Sequence, residues 1–251
     1  MKKIVVIPAR LSSSRLPRKV LLDLKGKSVI QRVYEQVQKA KNIDDIYIAT
    51  DSNEVLQECK KFTNNIILTS AGHQSGTDRI AEAIEKIDCD IVVNVQGDEP
   101  FIEPNLIVEL AQILENNEIN MVSAMHKIKL VEELKNPNVV KVIINKNYEA
   151  LYFSRSTIPH HRDEWETLLN HHKEIPNGLK FYRHLGIYGY KKDFLLKYID
   201  MEMTYLERLE KLEQLRVLEN GYKIKMIETN YNSIGIDTKD DYEKALELLN
   251  E

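Results

Sequence analysis

The sequence predicts an α/β fold, in which a mostly parallel sheet is flanked by helices and a smaller second lobe is attached. Short apolar runs alternate with helical patterns in the first half of the chain, as in parallel strands joined by helical crossovers. The 251 residues suffice for one large domain of this kind. Beyond residue 130 the alternation changes, so we expect one domain over 1–251 in which approximately 130–225 forms the second lobe.

The first half supplies the parallel sheet. The run KKIVVIP (2–8) is rich in β-branched residues and bounded by proline, as a buried strand would be, and apolar residues recur at helical spacing over 28–41. Strands and helices then alternate at 44–51, 53–62, 65–70, 78–87, 90–100, 104–116 and 120–128. Ligands bind outside the carboxyl ends of such strands, so the loops after 7, 51, 70 and 96 should share one rim.

The second half has a different pattern. Two strands are predicted within 139–159 around a turn at 145–147, and the polar stretch 160–180 is predicted to be a long surface loop. The remaining prediction is a strand, two helices, a strand and a terminal helix, at 184–192, 193–199, 205–219, 222–229 and 239–250.

The charge of the chain is slightly acidic overall but basic at its start. A net charge of −4 and a pI near 6.0 argue against a nucleic-acid partner bound through bulk positive charge. Residues 1–22 nevertheless hold six lysines and arginines, and the first acid is Asp23. That local excess indicates a small anionic ligand.

Cysteine usage and hydropathy indicate the compartment. Cys59 and Cys89 are 30 residues apart without a CxxC pairing, so buried reduced thiols are expected rather than a disulfide framework. The first apolar run is too short for a signal peptide, and no stretch approaches the roughly 20 apolar residues of a membrane span. We therefore expect a cytoplasmic protein with no membrane partner.

The first loop, IPARLSSSRLPRKVLL (7–22), has the composition of a phosphate site. Arg10 and Arg15 offer forked donors, and Lys19 offers a point charge. Ser12, Ser13 and Ser14 offer hydroxyl and backbone donors. The loop contains neither GxGxxG nor GxxxxGK[ST], which excludes the dinucleotide fingerprint and the Walker loop. The alternative is a basic loop that only faces solvent.

Two distant carboxylates are candidate metal ligands. Asp98 follows the apolar strand of VNVQGDEP at the expected ligand rim, and Asp237 follows a second short apolar stretch in NSIGIDTKDD. Carboxylates from two elements, together with substrate phosphates, would suit Mg²⁺. The alternatives are that GDEP is only a turn and that Asp237 caps the last helix.

These motifs together resemble a known family. The chain contains, in order, IPARLSSSRLPRK, TDSNEV, SAGHQSGTDRIAEA, VNVQGDEPFI, NPNVVKV, ALYFSRSTIP, RHLGIYGY, LEQLRVLENGYKI and GIDTKDD. It resembles the 3-deoxy-manno-octulosonate cytidylyltransferase family from residue 3 to about residue 245, and ALYFSRSTIP and RHLGIYGY are the most specific motifs. The resemblance implies a Rossmann-like sheet of the nucleotide-diphospho-sugar transferase type. It also implies a homodimer that forms through the second lobe.

The resemblance implies that the anomeric hydroxyl of a 2-keto-3-deoxy sugar acid attacks the α-phosphorus of CTP and releases pyrophosphate, for lipopolysaccharide biosynthesis. Arg10, Arg15 and Lys19 would stabilise the phosphates, and Asp98 and Asp237 would hold Mg²⁺. The catalytic set is thus Lys19, Asp98, Asp237 and Arg10. No histidine base is needed in this scheme.

Binding residues are implied in the same way. Ser75, Gly76 and Thr77 of SAGHQSGTDR would lie against cytosine and ribose. The sugar acid would be bound by an anion partner, Arg79, and by Gln96, Arg155, Tyr182, His184 and Glu207. Arg155 has the alternative of pairing with a nearby acid, and Glu207 that of a solvated helix residue.

Some segments depart from the family or remain ambiguous. The first loop of the family commonly ends Leu-Pro-Gly-Lys-Pro, whereas Arg18 and Val20 replace the glycine and the second proline here. The leucines of YLERLEKLEQLRVL step by three, which favours core packing on two sides of a helix. The histidine pairs at 160–161 and 171–172 lack the spacing of a metal site.

Three other functions remain open from the sequence. The same reaction on a related acid fits the motifs, either the 8-amino form of 3-deoxy-manno-octulosonate (8-amino-Kdo) or a nonulosonic acid. The unusual 160–180 stretch leaves the sugar undecided. A glycosyltransferase shares the architecture but usually carries DxD where this chain has GDEP. A nucleotide-binding regulatory protein would bind CTP without turning it over.

Overall fold

The computed structural model describes residues 1–13, 15–73, 75–232 and 234–250. Nine strands are present in this part of the chain: β1 Lys3–Pro8, β2 Asp45–Thr50, β3 Ile66–Leu68, β4 Ile91–Asn94, β5 Met121–Lys127, β6 Lys141–Ile144, β7 Ala150–Ser154, β8 Tyr182–Lys191 and β9 Lys225–Thr229. The α-helices described are α1 Val29–Val37, α2 Asn53–Cys59, α3 Gly76–Ile84, α4 Pro104–Ile113, α5 Val131–Lys135, α6 Trp165–His171, α7 Lys192–Ile199, α8 Tyr205–Glu210, α9 Leu215–Glu219 and α10 Lys239–Leu248.

The chain divides into two compact units. The first comprises Met1–Asn116, Ile187–Ile199 and Asn232–Glu251, and the second comprises Asn117–Gly186 and Asp200–Tyr231. The second unit includes most of the 130–225 stretch, but residues 187–199 belong to the first. Both units draw on segments that are distant in the sequence.

The first unit is built on a parallel sheet, as the alternating pattern predicts. Strands β3, β2, β1 and β4 lie side by side in parallel, and the end of β8 pairs antiparallel with β4. Ile4 to Ile7 are fully buried, which explains why β1 reads as a continuous apolar run rather than an alternating one. Because the four strands are parallel, their carboxyl ends share one edge, and the loops after β1, β2, β3 and β4 emerge there.

Helix starts in the first unit follow their capping residues. Ser28 accepts a hydrogen bond from the amide of Gln31 at α1, and Ser52 from that of Val55 at α2. Ser75 and Asp78 form a reciprocal capping box at α3. The predicted helix at 78–87 therefore begins two residues earlier, at Gly76, with its amino terminus at the carboxyl edge of the sheet.

The second unit combines a parallel strand pair with a hairpin. Strands β5 and β9 are parallel, β6 and β7 form an antiparallel hairpin, and β6 also pairs with the start of β8. The turn after β6 is closed by Asn145, whose side chain accepts from the amides of Asn147 and Glu149. This agrees with the turn predicted at 145–147.

Two predictions for the second unit are wrong. The stretch 160–180 is not a loop throughout, because it contains α6, whose Leu168 is buried with Ile128, Leu134 and Phe181. Its apolar residues, Trp165, Leu168 and Leu169, are too few in a short helix to stand out against the polar background. The helix predicted at 205–219 is two helices, since Lys211 adopts a left-handed conformation (φ 54°) that ends α8.

The leucines of this segment are correspondingly not equivalent. Leu212 and Leu215 are buried, whereas Leu209 on α8 is 62% exposed.

Cys59 and Cys89 are free, buried thiols, and burial raises the pKa of Cys59 to about 12. Within the described ranges, every helix falls short of the length and hydrophobicity that spanning a membrane requires.

Candidate active site

A cleft of about 190 Å³ opens at the carboxyl edge of the sheet in the first unit. Its walls come from the ends of β1 and β4, the short 3-10 helix Lys19–Leu21 and the start of α3. The sequence-predicted residues that line it are Arg10, Lys19, Ser75, Gly76, Arg79, Gln96 and Asp98. Segments more than 70 positions apart in the sequence thus meet at the rim that the strand order predicts.

The cleft contains a compact cluster of opposite charges. The ammonium of Lys19 donates to a carboxylate oxygen of Asp98 and to Oδ1 of Asp237, the latter at 2.8 Å. Arg15 pairs with the other oxygen of Asp237 at 2.9 Å. The side chain of Lys19 is only 13% exposed, against 21% for Asp98 and 43% for Asp237. One ammonium thus bridges the two predicted metal ligands.

The pKa values of this cluster follow from its pairing. Burial acts to lower the pKa of Lys19, but Asp98 and Asp237 outweigh it and raise that pKa above its usual value. Burial acts to raise the pKa of Asp237, and Lys19 and Arg15 reverse that effect, so its pKa is lowered. Lys19 and Asp237 are therefore both charged at neutral pH.

Backbone contacts explain how Asp237 reaches the cleft. The amide of Ile236 donates to the carbonyl of Asp98 at 2.9 Å, which places the two aspartates side by side. The cap of α10 is Thr238, whose hydroxyl accepts from the amide of Asp241. The alternative that Asp237 caps the last helix is therefore wrong, and its carboxylate is directed to Lys19 and Arg15.

Gly97 permits the close approach that brings Asp98 to the rim. A Cβ atom on Gly97 would lie 2.8 Å from the backbone carbonyl oxygen of Pro8. We predict that Gly97→Ala lowers the free energy of unfolding by about 1–3 kcal/mol through this overlap. Thermal unfolding measures the effect.

Gly186→Ala is the matched control for Gly97→Ala. A Cβ atom on Gly186 would have no heavy atom within 4 Å, and its φ is not in the left-handed region. It should stay within about 0.5 kcal/mol of the wild type. Equal stability of the two variants would contradict the packing argument.

The amino terminus of α3 borders the cleft. Ser75 is its N-cap and Gly76 its first residue, so backbone amides of the first turn point toward this end of the helix. Thr77 is buried within the same turn. Ser12 and Ser13 line an adjoining depression with Arg10, while Ser14 lies outside the described residues.

Arg18, at the position where the family commonly has glycine, adopts a backbone conformation that favours glycine. Its φ is 60°, in the left-handed region, and its guanidinium pairs with Glu54. A residue other than glycine is strained in this conformation by roughly 1–2 kcal/mol. The left-handed turn at Arg18 is followed directly by Lys19, whose side chain enters the cleft.

Arg79 is held by residues of the chain itself. Its guanidinium donates to Asp51 at 2.7 Å and to the hydroxyl of Thr69 at 2.6 Å, and its side chain is 4% exposed. The anion beside Arg79 is thus Asp51 at the end of β2. Gln96 donates to the side chain of Asn94 at 3.3 Å and also lines the cleft.

The second unit holds the other predicted sugar-acid ligands. Arg155 donates through Nε to the carbonyl of Glu210 and through Nη1 to that of Pro137, and its amide donates to the carboxylate of Glu210. The buried ammonium of Lys141 donates to the carbonyl of Arg155 at 2.8 Å. Lys141 and Glu210 thus hold the backbone of Arg155 in place.

Tyr182 and His184 project from the first half of β8. The hydroxyl of Tyr182 donates to Glu228 at 3.1 Å, and burial together with Glu228 raises the pKa of that tyrosine to about 12. His184 Nε2 lies 2.8 Å from the hydroxyl of Ser123, and burial lowers the pKa of the imidazole to about 3. His184 is therefore a neutral hydrogen-bonding group at neutral pH.

Glu207 is not a solvated helix residue. It is buried in α8, and both of its carboxylate oxygens accept from Arg216, at 2.6 and 2.8 Å. Sequence reasoning missed Arg216, Glu210, Lys141 and Asp51 as partners of the predicted ligands. The charged residues are visible in the motifs, but their partners lie up to 55 residues away and only the fold brings them together.

A match to a family model covers residues 4–225 and bears the description Cytidylyltransferase. A 3-deoxy-manno-octulosonate cytidylyltransferase of Geobacter metallireducens is 45% identical over 250 residues, covering 99% of this chain and 98% of the relative. The chain belongs to the 3-deoxy-manno-octulosonate cytidylyltransferase family. A relative of the same name from Francisella tularensis subsp. tularensis is 50% identical over 252 residues, with 98% of each chain covered.

A solved structure extends this family assignment to the fold. The structure of CMP:2-keto-3-deoxy-manno-octonic acid synthetase complexed with CTP matches with a TM-score of 0.90 at 36% identity, covering 100% of this chain and 99% of the other. The family resemblance and the fold class inferred from the sequence are confirmed. The individual roles of the site residues stay predictions.

Proposed function

We propose that this protein transfers CMP from CTP to 3-deoxy-manno-octulosonate and releases pyrophosphate, for lipopolysaccharide assembly. One observation of the structure carries the proposal: Lys19 and Asp98 line one cleft beside the amino terminus of α3, and Asp237 joins them through the ammonium of Lys19. A cation, a carboxylate pair and the amino terminus of a helix together suit a nucleoside triphosphate and its metal.

The chemistry follows from charge and positioning. The anomeric oxygen of the sugar acid forms a bond to the α-phosphorus, the bond to the β-phosphate oxygen breaks, and the hydroxyl proton is released. Arg10 and Lys19 bind the phosphates and the leaving pyrophosphate, while the α3 terminus with Ser75 and Gly76 borders the nucleotide. Little covalent work is asked of the protein, since phosphoryl transfer depends mainly on orientation and charge neutralisation.

Magnesium fits the donor set of this cleft. Two carboxylates within reach of a single ammonium supply the hard oxygen ligands that Mg²⁺ prefers. In the described part of the chain, no group of three or more histidine, cysteine, aspartate or glutamate side chains is arranged for a metal, so phosphates and water would complete the shell. When bound, Mg²⁺ would act as a Lewis acid that lowers the pKa of the attacking hydroxyl.

The second unit supplies groups suited to a sugar acid. Arg155, with its backbone fixed by Lys141 and Glu210, is the cation for the carboxylate. The neutral imidazole of His184 and the hydroxyl of Tyr182 suit sugar hydroxyls. Because CTP is a cytoplasmic nucleotide, we place the reaction in the cytoplasm.

The decisive experiment is incubation of the purified protein with each of the four nucleoside triphosphates and a panel of acids. The panel contains 3-deoxy-manno-octulosonate, its 8-amino form and a nonulosonic acid, and products are identified by mass. We expect the CMP-sugar of 3-deoxy-manno-octulosonate and one pyrophosphate per turnover when CTP is the nucleotide, and no product with the other three nucleoside triphosphates. Preference for another acid would reassign the substrate. CTP binding without pyrophosphate release would favour a regulatory protein or a glycosyltransferase.

We also propose a homodimer formed by the second unit. Tyr205 and Leu209, one helical turn apart on α8, are 70% and 62% exposed, and Met203 precedes them. Large apolar side chains grouped on one helix face are typical of an interface. We predict that Leu209→Glu weakens the dimer at least about 30-fold, the loss of one interface hot spot.

Sedimentation equilibrium measures the dimer dissociation constant. Leu248→Glu is the matched control, because Leu248 is an exposed leucine on α10 of the first unit. It should leave the dissociation constant unchanged. A monomeric wild type, or equal effects of the two variants, would contradict the proposed interface.

A further inference from the structure

The two carboxylates that would hold the metal share one cation. Lys19 donates to Asp98 and Asp237 together, and its side chain is largely withdrawn from water. Arg15 also contacts Asp237, but its side chain is 64% exposed, where ion pairs are weak. The ammonium is therefore the cation that neutralises the pair within the cleft.

A divalent cation held by both aspartates would compete with Lys19 for them, because the ammonium takes one oxygen of each carboxylate and Arg15 takes the second oxygen of Asp237. Magnesium binds carboxylate oxygens at about 2.0–2.1 Å in a nearly octahedral shell, a compact arrangement that would crowd an ammonium hydrogen-bonded to both carboxylates. Two positive ions at this separation also repel each other strongly in a partly desolvated cleft. Lys19 and the metal thus exclude each other from the Asp98–Asp237 pair.

We propose that the ammonium of Lys19 stands in for the divalent cation in the free enzyme and must leave the Asp98–Asp237 pair before metal binds there. This inference rests on the proposed function. Arg10 and Lys19 line the same cleft, so a triphosphate entering it offers the displaced ammonium another anion. The nucleotide also brings oxygen ligands for the metal, so metal and nucleotide enter together rather than metal first.

The ion pair has a second consequence for the free protein. Without a counter-ion, two adjacent carboxylates would repel each other and favour an open cleft or premature metal binding. Lys19 removes that repulsion and keeps the cleft assembled with no metal present. A ligand shifts such an equilibrium only by binding one arrangement better, so the triphosphate must supply the difference.

The test measures the dissociation constant of Mn²⁺ without nucleotide, with the free ion quantified by electron paramagnetic resonance. Lys19→Met keeps the length of the side chain and removes its charge, and Lys19→Gln is the second variant should the first fold poorly. We expect both variants to bind one Mn²⁺ at least about tenfold more tightly than the wild type does. Adding Asp98→Asn to either variant should abolish that gain.

Lys61→Met is the matched control, since Lys61 pairs with Glu58 on α2 at an exposed position. It changes the net charge equally and should leave Mn²⁺ binding at the wild-type level. Equal binding by the wild type and the Lys19 variants, or an equal gain in Lys61→Met, would overturn the inference. Wild-type turnover is measured in parallel: its absence with every acid would overturn the proposed function, whereas turnover without a gain in Lys19→Met overturns the inference alone.

Discussion

Replacing Asp98 with asparagine is expected to lower kcat about 10³-fold or more, because a carboxylate ligand worth several kcal/mol to the transition state is lost. The substitution keeps the shape of the side chain, and Lys19 retains Asp237 as an acceptor at 2.8 Å. The fold should therefore persist. Pyrophosphate release at saturating CTP and sugar acid measures the loss, and circular dichroism verifies the fold.

Asp240→Asn is the control for this experiment. Asp240 is exposed in the first turn of α10, three residues from Asp237, and lies outside the lining of the cleft. Its replacement should leave kcat within about twofold of the wild type, as for an ordinary surface position. Turnover of Asp98→Asn at the wild-type rate would refute the assignment of this carboxylate to the metal.

The sequence predicts the first unit well because hydrophobic periodicity and strand order determine it together. Residues 4–7 and 91–93 are apolar throughout, since both faces of a parallel sheet are covered. Once the strands are parallel, their carboxyl ends must share an edge, and Asp98 and the first loop meet there. The second unit is less predictable because its short helices carry few apolar residues, and one left-handed residue, Lys211, divides a continuous helical pattern.

The limits of prediction at the site have a physical origin. Residue type and position at a strand end identify Lys19 and Asp98 as site residues. Asp237 fits a capping pattern equally well, and only contacts in the fold distinguish the two possibilities: Thr238 caps α10, and the hydrogen bond from Ile236 to Asp98 holds Asp237 beside Lys19. Whether a charged residue faces a ligand or a partner in the chain depends on contacts distant in sequence, as Glu207 and Arg216 illustrate.

Removing the charge of Arg79 is expected to destabilise the free protein more than any other single change proposed for it. Arg79→Met leaves the half-buried carboxylate of Asp51 without its cation and the hydroxyl of Thr69 without its donor. Breaking a buried ion pair in this way costs about 3–5 kcal/mol. At roughly 2–4 °C per kcal/mol for a domain of this size, the melting temperature should fall by about 10 °C. Differential scanning calorimetry measures the shift.

A second variant distinguishes the structural role of the Arg79–Asp51 pair from a direct role of Arg79 in substrate binding. Asp51→Leu combined with Arg79→Met replaces both charges with apolar groups, which should restore part of the lost stability because no unpaired charge remains. Lys239→Met, which breaks an exposed pair with Glu243, should change stability by less than about 1 kcal/mol. If Arg79→Met has the melting temperature of the wild type but a raised KM for the sugar acid, Arg79 acts as an anion partner for substrate rather than as the counter-ion of Asp51.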